Sequence, residues 1–207
     1  MFLKEIISKR KHLNIDDNNL DLIINVDETP LYFDAPFDTT IEKKGIKEVK
    51  INTSGFEKER LSLLLSITVS GTKLMPIIIF KGQPGKRIEQ SLAKHPLVEK
   101  KLIKVFCQLN AWCTYEIFKN WIKEIFIEYQ YKLNKKSLLV LDCASSHTNE
   151  IIMDYLDKNG INYTFIPGGL TSKLQPLDIS VNKPFKIAYK KNIRNMWYLI
   201  LKIFLKM

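Results

Sequence analysis

Leu22-Ile23-Ile24-Asn25-Val26-Asp27 is a short, mostly β-branched run that ends at a single Asp. A run of this kind is typical of a strand that is buried on both faces of a sheet. A second run, Leu138-Leu139-Val140-Leu141-Asp142, has the same form. If the two strands are neighbours, their acids lie side by side at one edge of the sheet. The pair therefore predicts an acidic site formed by Asp27 and Asp142.

The segments that follow the first strand predict a hairpin and a loop. We expect the strand to end at Glu28-Thr29-Pro30, and we expect Leu61–Val69 and Leu74–Phe80 to pair around the turn Ser70–Lys73. The glycine and proline residues of Lys81–Lys94 indicate that this segment is a flexible basic loop.

Helices and one more strand make up the rest of the chain. Apolar residues at helical spacing, with Thr114 as N-cap and Gly160 as a helix terminator, indicate where the helices lie. The predicted elements are a helix over Thr114–Tyr131, a helix over Ser146–Lys158, a strand over Ile161–Ile166, and a last helix from Asp178 or Ile179 to the end of the chain, with a break near Pro184. This order predicts an α/β fold with a mixed sheet flanked by helices.

Composition narrows the function without identifying it. The chain has 207 residues, enough for one domain, and a formal net charge of +10, which favours a polyanionic partner or an anionic membrane surface. The apolar run Met196–Met207 is too short to span a bilayer, so we expect a soluble protein with no membrane partner. Three irregularly spaced cysteines argue against a disulfide framework and against a zinc site, and they are interpreted as structural thiols.

A third acid, Asp178, opens the last predicted helix, where the helix dipole tolerates negative charge. Three carboxylates at one site can hold Mg²⁺ or Mn²⁺, and two such ions can support an in-line phosphoryl displacement. Position alone leaves another interpretation open, because an Asp after a strand is often only a turn or cap residue.

Three ordered motifs carry a resemblance to a known family. They are Asn25-Val26-Asp27-Glu28-Thr29-Pro30-Leu31, the segment Leu138–His147, and Thr171–Asp178 followed by Lys183-Pro184-Phe185-Lys186, with 35 residues between Asp142 and Asp178. In these motifs the chain resembles the DDE superfamily endonucleases, in particular pogo-type transposases, relatives of mariner-like elements and of the jerky group.

The resemblance implies a ribonuclease-H-like fold and metal-dependent DNA strand cleavage and transfer in the nucleus. Asp27, Asp142 and Asp178 would be the catalytic acids and the ligands of two Mg²⁺ or Mn²⁺ ions. DNA would be the partner, contacted mostly through its phosphates, and a homodimer is compatible with this assignment.

Several further residues have two interpretations each. His147 either orients a group near the metal or stands at a helix N-terminus, and Glu28 is expected to point away from Asp27. Gln175 and Pro176 either aim Asp178 or contact the substrate. Four basic residues at near-helical spacing either follow a DNA backbone or form a solvated face: Lys183, Lys186, Lys190 and Arg194. Trp112 and Trp121 are expected to anchor the core.

The chain also departs from the family. Cys143 stands where the family usually has Asn, and only about 26 residues precede Asp27. We therefore expect residues 1–20 to be the remnant of an upstream region and residues 21–207 to be a catalytic domain with an abrupt end. The alternative function is that of a catalytically inactive or truncated transposase relic that acts as a DNA-binding or interaction protein.

Overall fold

A mixed six-stranded sheet forms the centre of the computed structural model, which describes residues 2–33 and 59–191. Its strand order is β4-β3-β2-β1-β5-β6. The strands are β1 (Ile23–Tyr32), β2 (Arg60–Thr68), β3 (Ile77–Lys81), β4 (Lys104–Gln108), β5 (Leu138–Leu141) and β6 (Asn162–Phe165). β1 pairs antiparallel with β2 and parallel with β5, so the two strands that precede the predicted acids are neighbours, as expected.

β1 is longer than predicted. It continues through Asp27 and Pro30 to Tyr32, so the expectation that Glu28-Thr29-Pro30 ends the strand is wrong. Proline lacks the N–H that a strand with two neighbours would need. β5 pairs only with the first part of β1, Ile23–Asn25, and Pro30 therefore lies where β1 has β2 alone beside it. Asp27 consequently stands within a strand instead of after one.

The predicted hairpin is present, with β3 starting three residues later than expected. The loop prediction for Lys81–Lys94 is wrong in its second half, where Arg87–Ala93 forms helix α2. α3 (Pro96–Glu99) follows, and β4, which was not predicted, then pairs parallel with β3. The polar and apolar alternation of β4 is weak because its less buried face carries Phe106 between Lys104 and Gln108, so the sequence gives little signal for this strand.

Helices cover both faces of the sheet. On one face lies the long helix Tyr115–Leu133, composed of α4 (Tyr115–Trp121), a π-helical segment (Ile122–Phe126) and α5 (Ile127–Leu133). It packs with α6 (Glu150–Lys158) over β1 and β5, around Trp121 and Phe118. The other face is covered by α8 (Lys183–Lys191), whose Phe185 and Tyr189 are buried against β2.

The N-terminal segment also packs on the sheet. α1 (Phe2–His12) contributes Phe2 to an apolar cluster with Ile23 of β1 and Val140 of β5. The Thr164 hydroxyl of β6 donates a hydrogen bond to Glu5 at 2.8 Å. Residues 2–12 are thus part of the packed structure beside the first part of β1.

Two helix starts differ from the predictions. α6 begins at Glu150, because Asn149 is the N-cap and accepts a hydrogen bond from the Ile151 N–H at 2.9 Å. The last helix begins one residue before Asp178 as a π-helical segment, Leu177–Asn182, and it is preceded by the short α7 (Thr171–Leu174). The helix changes from π-helical to α-helical geometry at Lys183. α8 then continues through Pro184, where a break was predicted.

Some predictions concern parts of the chain outside the described residues. These are the C-terminal end of the last helix, the run Met196–Met207 and the predicted DNA contact Arg194. Within residues 2–33 and 59–191, every helix is too short or too polar to cross a membrane.

The two tryptophans have different environments. Trp121 is fully buried, and its indole N–H donates to the Ser66 hydroxyl at 3.3 Å. Trp112 is 51% exposed, with the Arg60 guanidinium 3.7 Å from the centre of its ring. The prediction that both anchor the core therefore holds only for Trp121.

This difference predicts a large contrast in stability. Trp121→Ala should lower the free energy of unfolding by roughly 3–5 kcal/mol, because it leaves a cavity in the core. The matched variant Trp112→Ala should cost less than about 1 kcal/mol, because its ring already faces solvent. Urea denaturation of both variants measures the contrast, and equal costs would contradict the packing described.

Candidate active site

The sheet brings the first two predicted acids to the same level. Asn25 of β1 is the register partner of Val140 of β5, where the strand pairing ends. Two residues further along the chain stand Asp27, still within β1, and Asp142, directly after β5. Because the strands are parallel, both acids lie at the carboxyl ends of the β1–β5 pairing.

Asp27 is a buried carboxylate, with 6% of its surface exposed. Burial is the largest influence on its pKa, followed by the negative charges of Asp178 and Asp142, and together they raise the pKa of Asp27 to about 7. The hydrogen bond from Asn182 offsets part of this effect. Asp142 and Asp178 are thus close enough to Asp27 to influence it electrostatically, although the three residues are far apart in the sequence.

Asn182 links the first acid to the third. Its side-chain Nδ2 donates to Asp27 Oδ2 and to Asp178 Oδ1, each at 2.9 Å. Asp178 and Asn182 both belong to the π-helical segment, and π-helical turns occur frequently at functional sites. Asn182 is itself buried, whereas Asp178 is exposed to solvent.

Asp142 has a different partner. The Nδ1 of the buried His147 lies 2.5 Å from Asp142 Oδ1, and its ring packs on Phe118 with 4.2 Å between ring centres. Burial raises the pKa of Asp142, but the hydrogen bond with His147 and the Ala144 N–H lower it by more, so that its pKa lies below the ordinary value. His147 stands before the start of α6 and contacts the predicted metal ligand Asp142.

The remaining predicted site residues that the structure describes lie on β1 and on α8. Glu28 points to the opposite face of β1, where it accepts a hydrogen bond from the Cys113 N–H at 3.1 Å and where burial raises its pKa. Lys183, Lys186 and Lys190 lie along α8, which directly follows the π-helical segment that carries Asp178.

The donor chemistry of the three acids fits a hard divalent cation. Carboxylate oxygens are the ligands that Mg²⁺ and Mn²⁺ prefer, and a cation would relieve the repulsion that raises the pKa of Asp27. As the side chains stand, however, no three His, Cys, Asp or Glu residues within 2–33 and 59–191 are arranged so that they could hold a metal ion. Asp142 Oδ1 is engaged by His147 and Asp178 Oδ1 by Asn182, so a metal held by the three acids would require at least one of these carboxylates to turn inwards.

Sequence reasoning missed two amides of this site. Asn182 was not singled out, although it stands one helical turn after Asp178, the spacing at which helix side chains meet. Asn25 was noted only as part of a motif, yet an amide inside a run of buried apolar residues signals a specific partner.

The raised pKa of Asp27 predicts a pH-dependent stability in the absence of metal. Between about pH 4 and pH 7 the folded protein keeps a proton on Asp27 that the unfolded chain has lost, so the free energy of unfolding falls as the pH rises. Asp27→Asn should remove this dependence, and its stability relative to wild type should increase by roughly 2–4 kcal/mol from pH 4 to pH 8. Urea denaturation in EDTA at each pH measures this stability difference, and Asp154→Asn, on the exposed face of α6, is the control. A constant difference between Asp27→Asn and wild type would contradict the prediction.

Solved structures support the fold described above. The chain is similar to a crystal structure of the Mos1 mariner paired end complex with Mn, with a TM-score of 0.57 and 14% sequence identity over 89% of this chain and 46% of that chain. It is similar to the catalytic domain of Mos1 mariner transposase with a TM-score of 0.52 and 14% identity, over 99% of this chain and 78% of that chain. The ribonuclease-H-like fold expected from the motifs is therefore confirmed.

Sequence comparisons identify the family. A human pogo transposable element with KRAB domain is 28% identical over 179 residues, which are 84% of this chain and 27% of that protein. The mouse jerky protein is 28% identical over 137 residues, which are 62% of this chain and 23% of that protein. The chain thus spans only about a quarter of the length of these relatives. The family model for the DDE superfamily endonucleases matches residues 58–201, most of the chain, and the protein therefore belongs to the DDE superfamily endonucleases.

Proposed function

We propose that residues 21–207 form a catalytic domain that cleaves and transfers DNA strands with Asp27, Asp142 and Asp178 as its acids. The observation that carries the proposal is the placement of Asp27 and Asp142 at the carboxyl ends of the β1–β5 pairing, with Asn182 joining Asp27 to Asp178. Burial, together with the charges of Asp178 and Asp142, raises the pKa of Asp27 to about 7. Such a perturbation, caused by burial and by two further carboxylates, is typical of functional sites. Membership in the DDE superfamily endonucleases supports the same chemistry.

The cofactor would be Mg²⁺ or Mn²⁺, with two ions at the site. Structures of the Mos1 transposase have been determined with Mg and with Mn, which supports a divalent cation here. Asp27, Asp142 and Asp178 would hold the ions, and the bound metal would activate a water or 3′-hydroxyl and stabilise the leaving oxygen. His147 would fix the orientation of the Asp142 carboxylate, since buried partners of metal ligands commonly have this role.

DNA would be the partner, held mainly through its phosphates. Structures of Mos1 include a paired end complex and a strand transfer complex, which supports DNA as the ligand of this fold. Lys183, Lys186 and Lys190 follow the third acid along α8 and would extend the contact with the backbone, joined by Arg194. A protein acting on chromosomal DNA would work in the nucleus, and a homodimer would allow two DNA ends to be treated together.

A second candidate is a non-catalytic DNA-binding protein derived from a transposase. It is favoured by the partners of the acids, because Asp142 and Asp178 are each hydrogen-bonded to a protein side chain, His147 and Asn182. In that function the same contacts would simply stabilise the fold. Measurements of plasmid cleavage and of melting temperature in Mn²⁺ separate the two candidates.

Cleavage of supercoiled DNA in Mn²⁺ tests catalysis. Wild type should convert the plasmid to its nicked form, and Asp142→Ala should reduce the rate by more than about 100-fold, because loss of a ligand should cost at least as much as loss of its supporting partner. Asp154→Ala, which removes an exposed acid paired with Lys158, is the matched control and should nick normally. A wild type that leaves the plasmid intact and melts at the same temperature with and without Mn²⁺ would favour the second candidate.

DNA binding should depend steeply on salt and little on sequence, because phosphate contacts dominate it. Replacing Lys183, Lys186 and Lys190 together by Ala should reduce the slope of log affinity against log salt by up to about 0.9 for each lysine. Fluorescence anisotropy with two unrelated duplexes measures this. The control replaces three exposed lysines away from α8: Lys94, Lys100 and Lys101. An unchanged slope in the α8 variant would show that these lysines do not contact the backbone.

A further inference from the structure

Two buried amide side chains, Asn25 and Gln175, connect the three chain segments that carry the acids. Asn25 lies on β1, two residues before Asp27. Gln175 lies between α7 and the π-helical segment, three residues before Asp178. Both are almost completely removed from solvent, so each polar atom requires a hydrogen bond within the protein.

Asn25 connects all three segments by itself. Its Nδ2 donates to the Val140 carbonyl oxygen and to Gln175 Oε1, both at 3.1 Å. Its Oδ1 accepts from the Leu177 N–H at 3.3 Å. Since Asn25 and Val140 are the last paired residues of β1 and β5, the amide adds a link between the strands at the point where their pairing ends.

Gln175 completes the network from the other side. Its Nε2 donates to the Val26 carbonyl oxygen at 3.3 Å, and its backbone carbonyl accepts from the Ile179 N–H at 3.1 Å. The backbone groups that take part in these bonds stand within two residues of an acid. They are the carbonyls of Val26, beside Asp27, and Val140, near Asp142, and the N–H groups of Leu177 and Ile179, on either side of Asp178.

We propose that Asn25 and Gln175 are positioning residues that set the placement of the three acids relative to one another and thereby determine the affinity of the site for a divalent cation. Asp178 does not belong to the sheet, so its distance from Asp27 is not set by strand pairing. Hydrogen bonds fix distance and direction, whereas apolar contacts tolerate repacking. The inference rests on the proposed function, because it assumes that the acids bind a metal.

A purely structural role is the competing explanation. A buried hydrogen-bond network stabilises a fold wherever it lies, and removal of one partner costs about 1–3 kcal/mol. The two roles differ in what happens to metal binding by the molecules that remain folded. A structural network changes the fraction folded, while a positioning network also changes the Kd for the metal.

The test is a titration of free Mn²⁺ by electron paramagnetic resonance, at a temperature where each protein is folded, with urea denaturation alongside. We expect Asn25→Ala and Gln175→Ala each to raise the Kd for Mn²⁺ by roughly 10–100-fold. The double variant should raise it little beyond the larger single effect, because the two amides act as a unit. Ser66→Ala, which removes the buried partner of Trp121 on the other face, is the matched control and should lose stability without a change in Kd.

Gln175→Met provides a milder variant that keeps the shape of the side chain and leaves the bonds of Asn25 to Val140 and Leu177 in place. It should fold and still bind Mn²⁺ more weakly than wild type. Variants that lose stability but bind Mn²⁺ with the wild-type Kd would overturn the inference and leave the proposed function standing. A wild type that fails to bind Mn²⁺ would overturn both.

Discussion

The burial of Asp27 close to two further carboxylates determines the electrostatics of the site. Asp27 is buried within β1, and the charges of Asp178 and Asp142 add to the cost of ionising it. Like charges so placed separate unless a proton, a hydrogen-bond donor or a cation holds them. The amide of Asn182 supplies donors to the first and third acids, while His147 engages the second. These contacts explain how the protein folds around an acidic centre.

The strands and acids of this centre could be predicted because a local apolar pattern marks each strand and leads directly to an acid of the site. Two apolar runs end near an Asp, and parallel neighbours place such residues at the same level, as the pairing of Asn25 with Val140 shows. The long helix Tyr115–Leu133 has a regular apolar stripe, and the motifs around the acids were sufficient to indicate the fold and the family.

Other features depend on contacts that local pattern does not encode. The continuation of β1 through Pro30 depends on β5 being short, and β4 forms because β3 offers it an edge. Trp112 has the same side chain as Trp121 but lies against Arg60 at the surface. The role of Asn182 depends on a π-helical segment that turns it towards β1, and the link between Asn25 and Gln175 spans 150 positions of sequence.

The proposed function requires that Asp27, Asp142 and Asp178 form one divalent metal site. Anomalous diffraction from crystals of the wild-type protein soaked in Mn²⁺ tests it most directly, because manganese can be located without reference to activity. We expect an anomalous peak within coordination distance of Asp27 and of at least one of the other two acids, with the Asp142 or Asp178 carboxylate turned inwards from its present partner. Peaks confined to other surface acids, with the side chains of these three unchanged, would contradict it.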